Sequence, residues 1–577
     1  MHKIEGISAS EGIAIAKAYK IVEPDLSFKD HPASDKDKEI GRLHEALTAS
    51  IEELTTIKAN IVDNLGEKEG LVFQSHIQML SDPEFISSIE QLILDKNFCA
   101  EKALDVTSNN FIHLFKSNVT NVWMKAQIRE RTSDVIDIKR RVLGHLLNIK
   151  LPDLSLVDKP VIVVAKDITP SDIAQLNGKY VKGIVAEFGA QTSHSSIMAR
   201  TLKLPMILRA KDAIKEIRND DELIVDGLSG TIVINPTRLQ VIDYHQRIKA
   251  FNVEMKKLQG FKEKLTTTED NRHVSVEANI GNDNDLKSVT DSSAEGIGLY
   301  RTEFLFLGQN HIPSEQEQFE SYRKAVFHMK GRPIVFRTLD IGNDKQINGL
   351  KLTNEPNPAL GIRGLRLSLG SEELFRTQLR ALIRASSYGE ISIIFPMVST
   401  IDEYRRARSI YDEERAAMKK DGQNMGTVNL GVMIEVPSAA LLADEFAKEV
   451  DVVSVGTNDL VQYLMAADRM DGKVAGLYQQ LNPAVIRTLK YIVDSFHTEG
   501  KSVSICGELA SMRIAIPLLI GLGVDSFSMN SESILKVRKL ISKIDSKYAK
   551  KIVDQIVRNA ATSDDVVKQL NNFLDKI

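Results

Sequence analysis

The sequence predicts an α/β multidomain protein in which an α/β unit carrying an inserted helical bundle precedes a (β/α)8 TIM-type barrel. Three features lead there. The texture of the chain changes three times along its 577 residues, a length that at ~100–200 residues per domain requires three or four structural units. Strand-like runs alternate with amphipathic helices through the last part. The polar residues of those runs gather at strand C-terminal ends, the side on which barrel active sites are built.

Residues 4–22 read as short apolar strands around Gly6 and Gly12. From about Asp35 to Lys150 the pattern turns helical. Ile40, Leu43, Leu47, Ile51, Leu54, Ile57 and Ile61 recur every three or four positions and place one apolar stripe on a long helix. Pro83 marks a break, and three further amphipathic stretches complete a bundle. At Pro160 the β-branched runs PVIVVAKDI and KGIVAEFG begin an α/β pattern that lasts to about Asn235. A charged, helical connector follows. From about His273 come seven strands, in HVSVEANI, GIGLYRTEF, PIVFRTLDI, ISIIFPMV, LGVMIEV, VDVVSVG and KSVSICGE, with the eighth expected near Arg363. The expected boundaries are 1–25 with 146–235 for the α/β unit, 26–145 for the bundle, 236–265 for the linker and 266–577 for the barrel.

The bulk properties narrow the function. Hydrophobic residues at 43% and charged residues at 26% describe an ordinary globular chain. A net charge of -4 points to neither nucleic acid nor an anionic membrane as partner. Only Cys99 and Cys506 occur, which fits a reducing cytoplasm. The opening MHKIEGISAS lacks the apolar core of a signal peptide, and no apolar run approaches the ~18 residues of a membrane span.

Arg301, Arg337, Asp340, Glu435, Asn458, Asp459, Cys506 and Glu508 all fall at or just beyond the ends of barrel strands. Glu435 and Asp459 end consecutive strands, so both carboxylates can reach one point. Two carboxylates completed by ligand oxygens and water are how Mg2+ is usually held beside a phosphate. Arg301, Arg337 and Arg469 supply forked donors for carboxylate or phosphate. Any one of these charges alone could be a surface ion pair; their convergence on one rim is what argues for a site. A lone thiol such as Cys506 is most often a small buried hydrophobe, but its place beside Gly507 and Glu508 makes it an acid–base candidate.

In the α/β unit, FGAQTSHSSIMARTLKLP offers Gly189, then Thr192 and Ser193 as cap candidates, then His194 opening a helix. Free N–H groups and the positive end of the helix dipole would stabilise a phosphate on that ring. Thr169, after the preceding strand, could orient it. The Gly296–Gly298 pair lacks the third glycine of a dinucleotide loop and is set aside.

The pieces TSHSSIMAR, GLYRTEFLF, RTLDIG, NPALGIRG, GVMIEVP, SVGTNDLVQY, AADR and CGELA, in this order and over nearly the whole chain, make the sequence resemble enzyme I of the bacterial phosphoenolpyruvate:sugar phosphotransferase system. That resemblance implies a swivelling phosphohistidine domain, phosphoenolpyruvate as donor, Mg2+ as cofactor and the carrier protein HPr as acceptor. It implies His194 as the phosphorylated residue, Arg301, Arg337, Asn458, Asp459 and Arg469 as donor-binding residues, Glu435 and Asp459 as metal ligands, and Cys506 as the proton donor to carbon. It also implies that the helical unit docks HPr and the barrel forms a homodimer.

Some positions depart from the family pattern. Gly189-Ala190-Gln191 stands where Gly-Gly-Arg is usual, Asn343 replaces a glycine, and Arg209-Ala210 replaces Gly-Thr. A left-handed backbone at Ala190 would cost about 1–2 kcal/mol, and loss of the arginine removes positive charge near the phosphohistidine. These departures bear on the rate of phosphohistidine formation. A phosphoenolpyruvate synthase or pyruvate phosphate dikinase would need a nucleotide-binding domain where the sequence offers a bundle. A non-catalytic relative is disfavoured by the intact His194, Glu435, Asp459 and Cys506.

Overall fold

The computed structural model describes residues 2–22, 24–65, 67–117, 122–191, 193–307, 311–342, 355, 357–469, 471 and 473–577. The chain divides into two compact units, Met1–Met255 and Lys256–Ile577.

The first unit is built on one eight-stranded sheet. Its strands are β1 (His2–Glu5), β2 (Ile7–Ser10), β3 (Ile13–Lys20), β4 (Val161–Ala165), β5 (Val181–Ala186), β6 (Met206–Leu208), β7 (Glu222–Asp226) and β8 (Thr231–Ile234), in the order β1-β8-β7-β3-β4-β5-β6-β2. The central β3, β4, β5 and β6 run parallel. Every residue of the VIVVA run in β4 is buried, as a strand covered on both faces requires. Among the described residues five α-helices lie between β3 and β4: α1 (Lys36–Leu65), α2 (Glu67–Leu80), α3 (Pro83–Lys96), α4 (Ala100–Ser117) and α5 (Val122–Leu147). The apolar stripe read from the sequence is the buried face of α1, where Leu43, Leu47, Leu54, Ile57 and Ile61 meet the bundle core. Pro83 ends one helix and opens another. It occupies the first turn of α3, where its missing N–H costs nothing, and Asp82 caps that turn by accepting from the backbone N–H groups of Glu84 and Phe85.

The helix Arg238–Gln259 leads out of the first unit. The second unit is a closed barrel of eight parallel strands: β9 (Ser275–Ile280), β10 (Ile297–Arg301), β11 (Ile334–Arg337), β12 (Ile391–Phe395), β13 (Val428–Ile434), β14 (Val452–Gly456), β15 (Val503–Cys506) and β16 (Ser526–Met529). The α/β multidomain fold class is therefore as read from the sequence, with one correction. The eighth strand is Ser526–Met529, which closes the ring by pairing with β9, and not a strand near Arg363. The segment Gly361–Gly364 is a bend before the helix Leu365–Gly370. The strand SFSM was hard to see because its serines turn into the barrel, where the Ser528 hydroxyl bonds Asn279 Oδ1 at 2.5 Å. The discarded Gly296–Gly298 pair also finds its reason here. A Cβ on Gly298 would lie 2.4 Å from both Glu277 Oε2 and Ser528 Oγ, so only glycine leaves room for these interior side chains.

At the foot of the barrel Asp270 ties the entry of the chain to the helix Ser546–Asn559. It accepts from the Ser546 N–H at 2.9 Å, the Ser546 hydroxyl at 2.7 Å and the Thr268 hydroxyl at 2.7 Å. Burial pushes this carboxyl up, but the hydrogen bonds from Ser546 and Thr268 outweigh it and hold it at about 2, below its ordinary 3.8. A depressed carboxyl adds stability above its unfolded value and loses it as pH falls through the folded one. Asp270→Ala should therefore lower the melting temperature at pH 6, with the gap to the parent closing between pH 4 and 2. Equal gaps at pH 6 and pH 2 in thermal scans would show that the charge is irrelevant.

Candidate active site

The C-terminal ends of β10, β11, β13, β14 and β15 converge on a buried charged cluster. Arg337, the last residue of β11, bonds Glu303 at 2.5 Å and Asp340 at 2.9 Å. Its loop is fixed from behind. The Thr302 hydroxyl donates to the Arg337 carbonyl at 2.8 Å, and Gln378 bridges Thr302 and the Leu339 N–H. Arg363 reaches Asp340 at 3.0 Å and, with its other terminal nitrogen, Asp459 and the Tyr463 hydroxyl, both at 3.3 Å. Burial works against the charge of both arginines, but their carboxylate neighbours raise them above the ordinary guanidinium value.

Glu435 is 1% exposed. Its Oε1 accepts from the Met397 N–H at 2.7 Å. Met397 delivers that N–H from φ 57°, a left-handed backbone that a side chain adopts at a cost of about 1–2 kcal/mol. Burial, then repulsion from Asp459 and Asp340, lifts the Glu435 carboxyl to about 8 against the pull of Arg337 and Arg363. The other oxygen, Oε2, faces Gly456, where a Cβ would sit 2.4 Å away.

These features suit a divalent cation. The buried Arg337 and half-buried Arg363 guanidiniums face four carboxylates, Glu303, Asp340, Glu435 and Asp459, which leaves an excess of negative charge at an all-oxygen donor set. Glu435 Oε2 packs against the bare backbone of Gly456, the one residue type that leaves the carboxylate in this place. The donor set fits a hard divalent cation such as Mg2+, which Glu435 and Asp459 would hold.

Cys506 ends β15, buried among Leu299, Ile394 and Met433, and its thiol donates to the Val455 carbonyl at 3.6 Å. Burial raises the thiol, Glu435 adds to this, and Ser454, Arg337 and Arg301 oppose it. The net rise keeps it protonated at neutral pH. The side chain of Arg301, at the end of β10, makes no hydrogen bond or ion pair among the described residues, and its charge acts on Cys506. Asn458 Oδ1 accepts from the Glu508 N–H at 3.2 Å, and its carbonyl accepts from the Tyr478 hydroxyl at 3.1 Å. Arg469 is exposed and joins this group through Tyr478. The structure thus gathers Arg337, Glu435, Asp459 and Cys506 closely, sets Arg301 and Asn458 beside them, and leaves Arg469 on the rim. Arg363, Glu303 and Met397 were missed as site residues. Arg363 and Glu303 lie in the quoted motifs NPALGIRG and GLYRTEFLF, but a positive φ at Met397 leaves no mark in composition.

In the first unit, α6 (Pro170–Ala174) and α7 (His194–Thr201) frame the other candidate. His194 is the first residue of α7 and is half-buried. Ser193 caps the helix by accepting from the Ser196 N–H, and the Ser195 hydroxyl ties it to the Ile168 carbonyl at 2.8 Å. Thr192, the other cap candidate, and Asn343 lie outside the described residues. Thr169, expected to orient the ring, is the N-cap of α6, its hydroxyl on Asp172 Oδ2 at 2.9 Å. The strain expected at Ala190 is corrected. Positive φ falls at Gly189, +117°, and Ala190 is not among the residues in that region. Arg209 is, at φ 53°, so that departure and not Ala190 carries a backbone cost. The loop is pinned: Gln191 donates to the Ser8 carbonyl at 2.6 Å, and Arg200 donates to the Gln191 and Ala9 carbonyls at 3.1 and 3.0 Å.

Among the described residues no helix is long and apolar enough to cross a membrane. Residues 5–126 match the family described as PEP-utilising enzyme, N-terminal; 157–230 match PEP-utilising enzyme, mobile domain; and 255–546 match PEP-utilising enzyme, PEP-binding domain. The chain is 46% identical over 572 residues to the phosphoenolpyruvate-protein phosphotransferase of Listeria innocua, covering 99% of each chain. The protein of that name from Staphylococcus carnosus is also 46% identical over 572 residues, with 99% of each covered. That from Latilactobacillus sakei is 44% identical over 575 residues, with 100% of each covered.

The raised Glu435 carboxyl yields a stability prediction. The folded chain keeps that proton up to about pH 8, whereas the unfolded chain releases it near 4.5, so burying it costs stability increasingly as pH rises between these values. In chelator, Glu435→Gln should melt higher than the parent at pH 8, with little difference at pH 5. A variant that melts lower than the parent at pH 8 would contradict this.

Proposed function

The chain belongs to the phosphoenolpyruvate-protein phosphotransferases of the PEP-utilising enzyme family, and on that premise we propose that His194 takes the phosphoryl group from phosphoenolpyruvate at the barrel mouth and passes it to a histidine of HPr, the first step of sugar uptake. The observation that carries the reading is the convergence of Arg337, Arg363, Glu435, Asp459 and Cys506 on one end of the barrel.

Arg301 and Arg337 bind the anionic donor, with Asn458 and Arg469 completing the cradle. Mg2+ held by Glu435 and Asp459 would neutralise charge on the phosphate and the enolate oxygen. A ring nitrogen of His194 forms the new bond to phosphorus as the bond from phosphorus to the enol oxygen breaks, leaving the enolate. The Cys506 thiol gives its proton to the methylene carbon, pyruvate forms, and the thiolate recovers a proton from water. A thiol suits this task because it stays protonated until the carbanionic carbon appears. The phosphoryl group then moves from the His194 nitrogen to the HPr histidine.

His194 and the donor-binding residues belong to different units, so the reaction requires the phosphohistidine domain, 1–25 with 146–235, to swivel about the linker 236–265. Within this reading the bundle 26–145 docks HPr, the barrel 266–577 joins a second copy as a homodimer, and the enzyme works in the cytoplasm, as the sequence resemblance implies.

With radiolabelled phosphoenolpyruvate, His194→Ala should lose all acid-labile label while calorimetric binding of the donor with Mg2+ is retained; persistent label would place the nucleophile elsewhere. Cys506→Ala should still label His194 in a single turnover, while steady-state pyruvate release falls roughly hundredfold, the effect of losing a general acid. Release at the parent rate would make Cys506 a packing residue.

A further inference from the structure

We propose that His31, Cys99 and Glu101 form a second metal site, in the helical part of the first unit, that takes a zinc-class divalent cation. One ligating atom from each side chain lies within 4.8 Å of the other two. The three come from two segments that the backbone fastens together. The Ala33 N–H donates to the Asn97 carbonyl at 2.9 Å, Pro32 and Phe98 form an antiparallel bridge, and Lys102 pairs with Asp30 at 3.2 Å.

The buried carboxylate points independently to a ligand. Glu101 is 4% exposed; its Oε1 pairs with Arg42 at 2.5 Å, but Oε2 is buried with no hydrogen-bond partner among the described residues. An ionised oxygen buried without a partner costs more than a hydrogen bond returns, and a cation would relieve it. The carboxylate cannot simply turn outward. Glu39 holds Arg42 at 2.9 Å and accepts from the Ala100 N–H at 2.9 Å, fixing the network from behind.

Cys99 is buried immediately before α4, and its carbonyl accepts from the Ala103 N–H at 3.0 Å. The His31 Nδ1 lies 3.3 Å from the Pro32 carbonyl. A carbonyl only accepts, so that bond puts the proton on Nδ1 and leaves the Nε2 lone pair for a metal. Sulfur, nitrogen and oxygen donors together suit zinc and not magnesium. Metal-to-ligand distances of about 2.0–2.3 Å bring tetrahedral ligands to within roughly 3.6 Å of one another. The three atoms already lie within 4.8 Å, and the exposed His31 is free to swing inward as the site tightens. Water takes the fourth position. Binding exchanges the Cys99 thiol proton for the metal–sulfur bond, with no change of oxidation state.

The test is a cobalt(II) titration of the full chain in a Cys506→Ala background, which removes the barrel thiol. A thiolate-to-cobalt absorption band should saturate at one equivalent, vanish on added zinc and persist in excess magnesium. Adding Cys99→Ala should abolish the band. His31→Ala, on an exposed residue that does not threaten folding, should weaken cobalt affinity at least about tenfold. No band in the Cys506→Ala protein, a band surviving Cys99→Ala, displacement by magnesium, or unchanged affinity in His31→Ala would each overturn the site.

Discussion

Arg363 binds Asp340 with two nitrogens and Asp459 with the third, and this buried bridge is what allows so many carboxylates to share the barrel mouth. An ionised group in a protein interior loses hydration worth several kcal/mol, which only close, well-directed partners return. Arg337 does the same for Glu303 and Asp340. Among the described residues Glu435 accepts from one backbone N–H, and its burial beside Asp459 and Asp340 raises its proton affinity against the pull of both guanidiniums. The cluster is stable as a lattice and under-neutralised at one corner, and that corner is where a cation is wanted.

The same arithmetic separates the two halves of the chemistry. Donor binding needs dense charge, which a rigid closed barrel can hold in register. Under the proposed function a carrier histidine needs the reverse, and His194 offers a half-buried ring at the start of a helix, where backbone N–H groups favour an anion. Ser193, Ser195 and Ser196 all bond backbone around His194, so the ring sits on a braced turn. The replacement of Arg by Gln at position 191 keeps this bracing, because the amide reaches the Ser8 carbonyl.

What was legible in the sequence follows from which signals are local. Buried parallel strands announce themselves as β-branched runs, and seven of the eight barrel strands did so, with Arg337, Glu435, Asp459 and Cys506 at or beside their ends. The eighth, SFSM, alternates serine with apolar residues because its inward face meets Asn279 and Glu277 and not the apolar core. Arg363 escaped for the opposite reason. It sits on a bend between a turn and a helix, and only the three-dimensional approach of Asp340 and Asp459 gives it a role. The strain expected at Ala190 was a guess about a dihedral angle, and the positive φ lay one residue earlier, on Gly189.

Gly456 ends β14 with a bare backbone facing Glu435 Oε2, and any Cβ there would press into that oxygen at 2.4 Å. Seen as a problem of inheritance, the position is an island. Alanine, serine, valine and every other neighbour reachable from a glycine codon brings the one atom that does not fit, so no graded path of substitutions leads away from it.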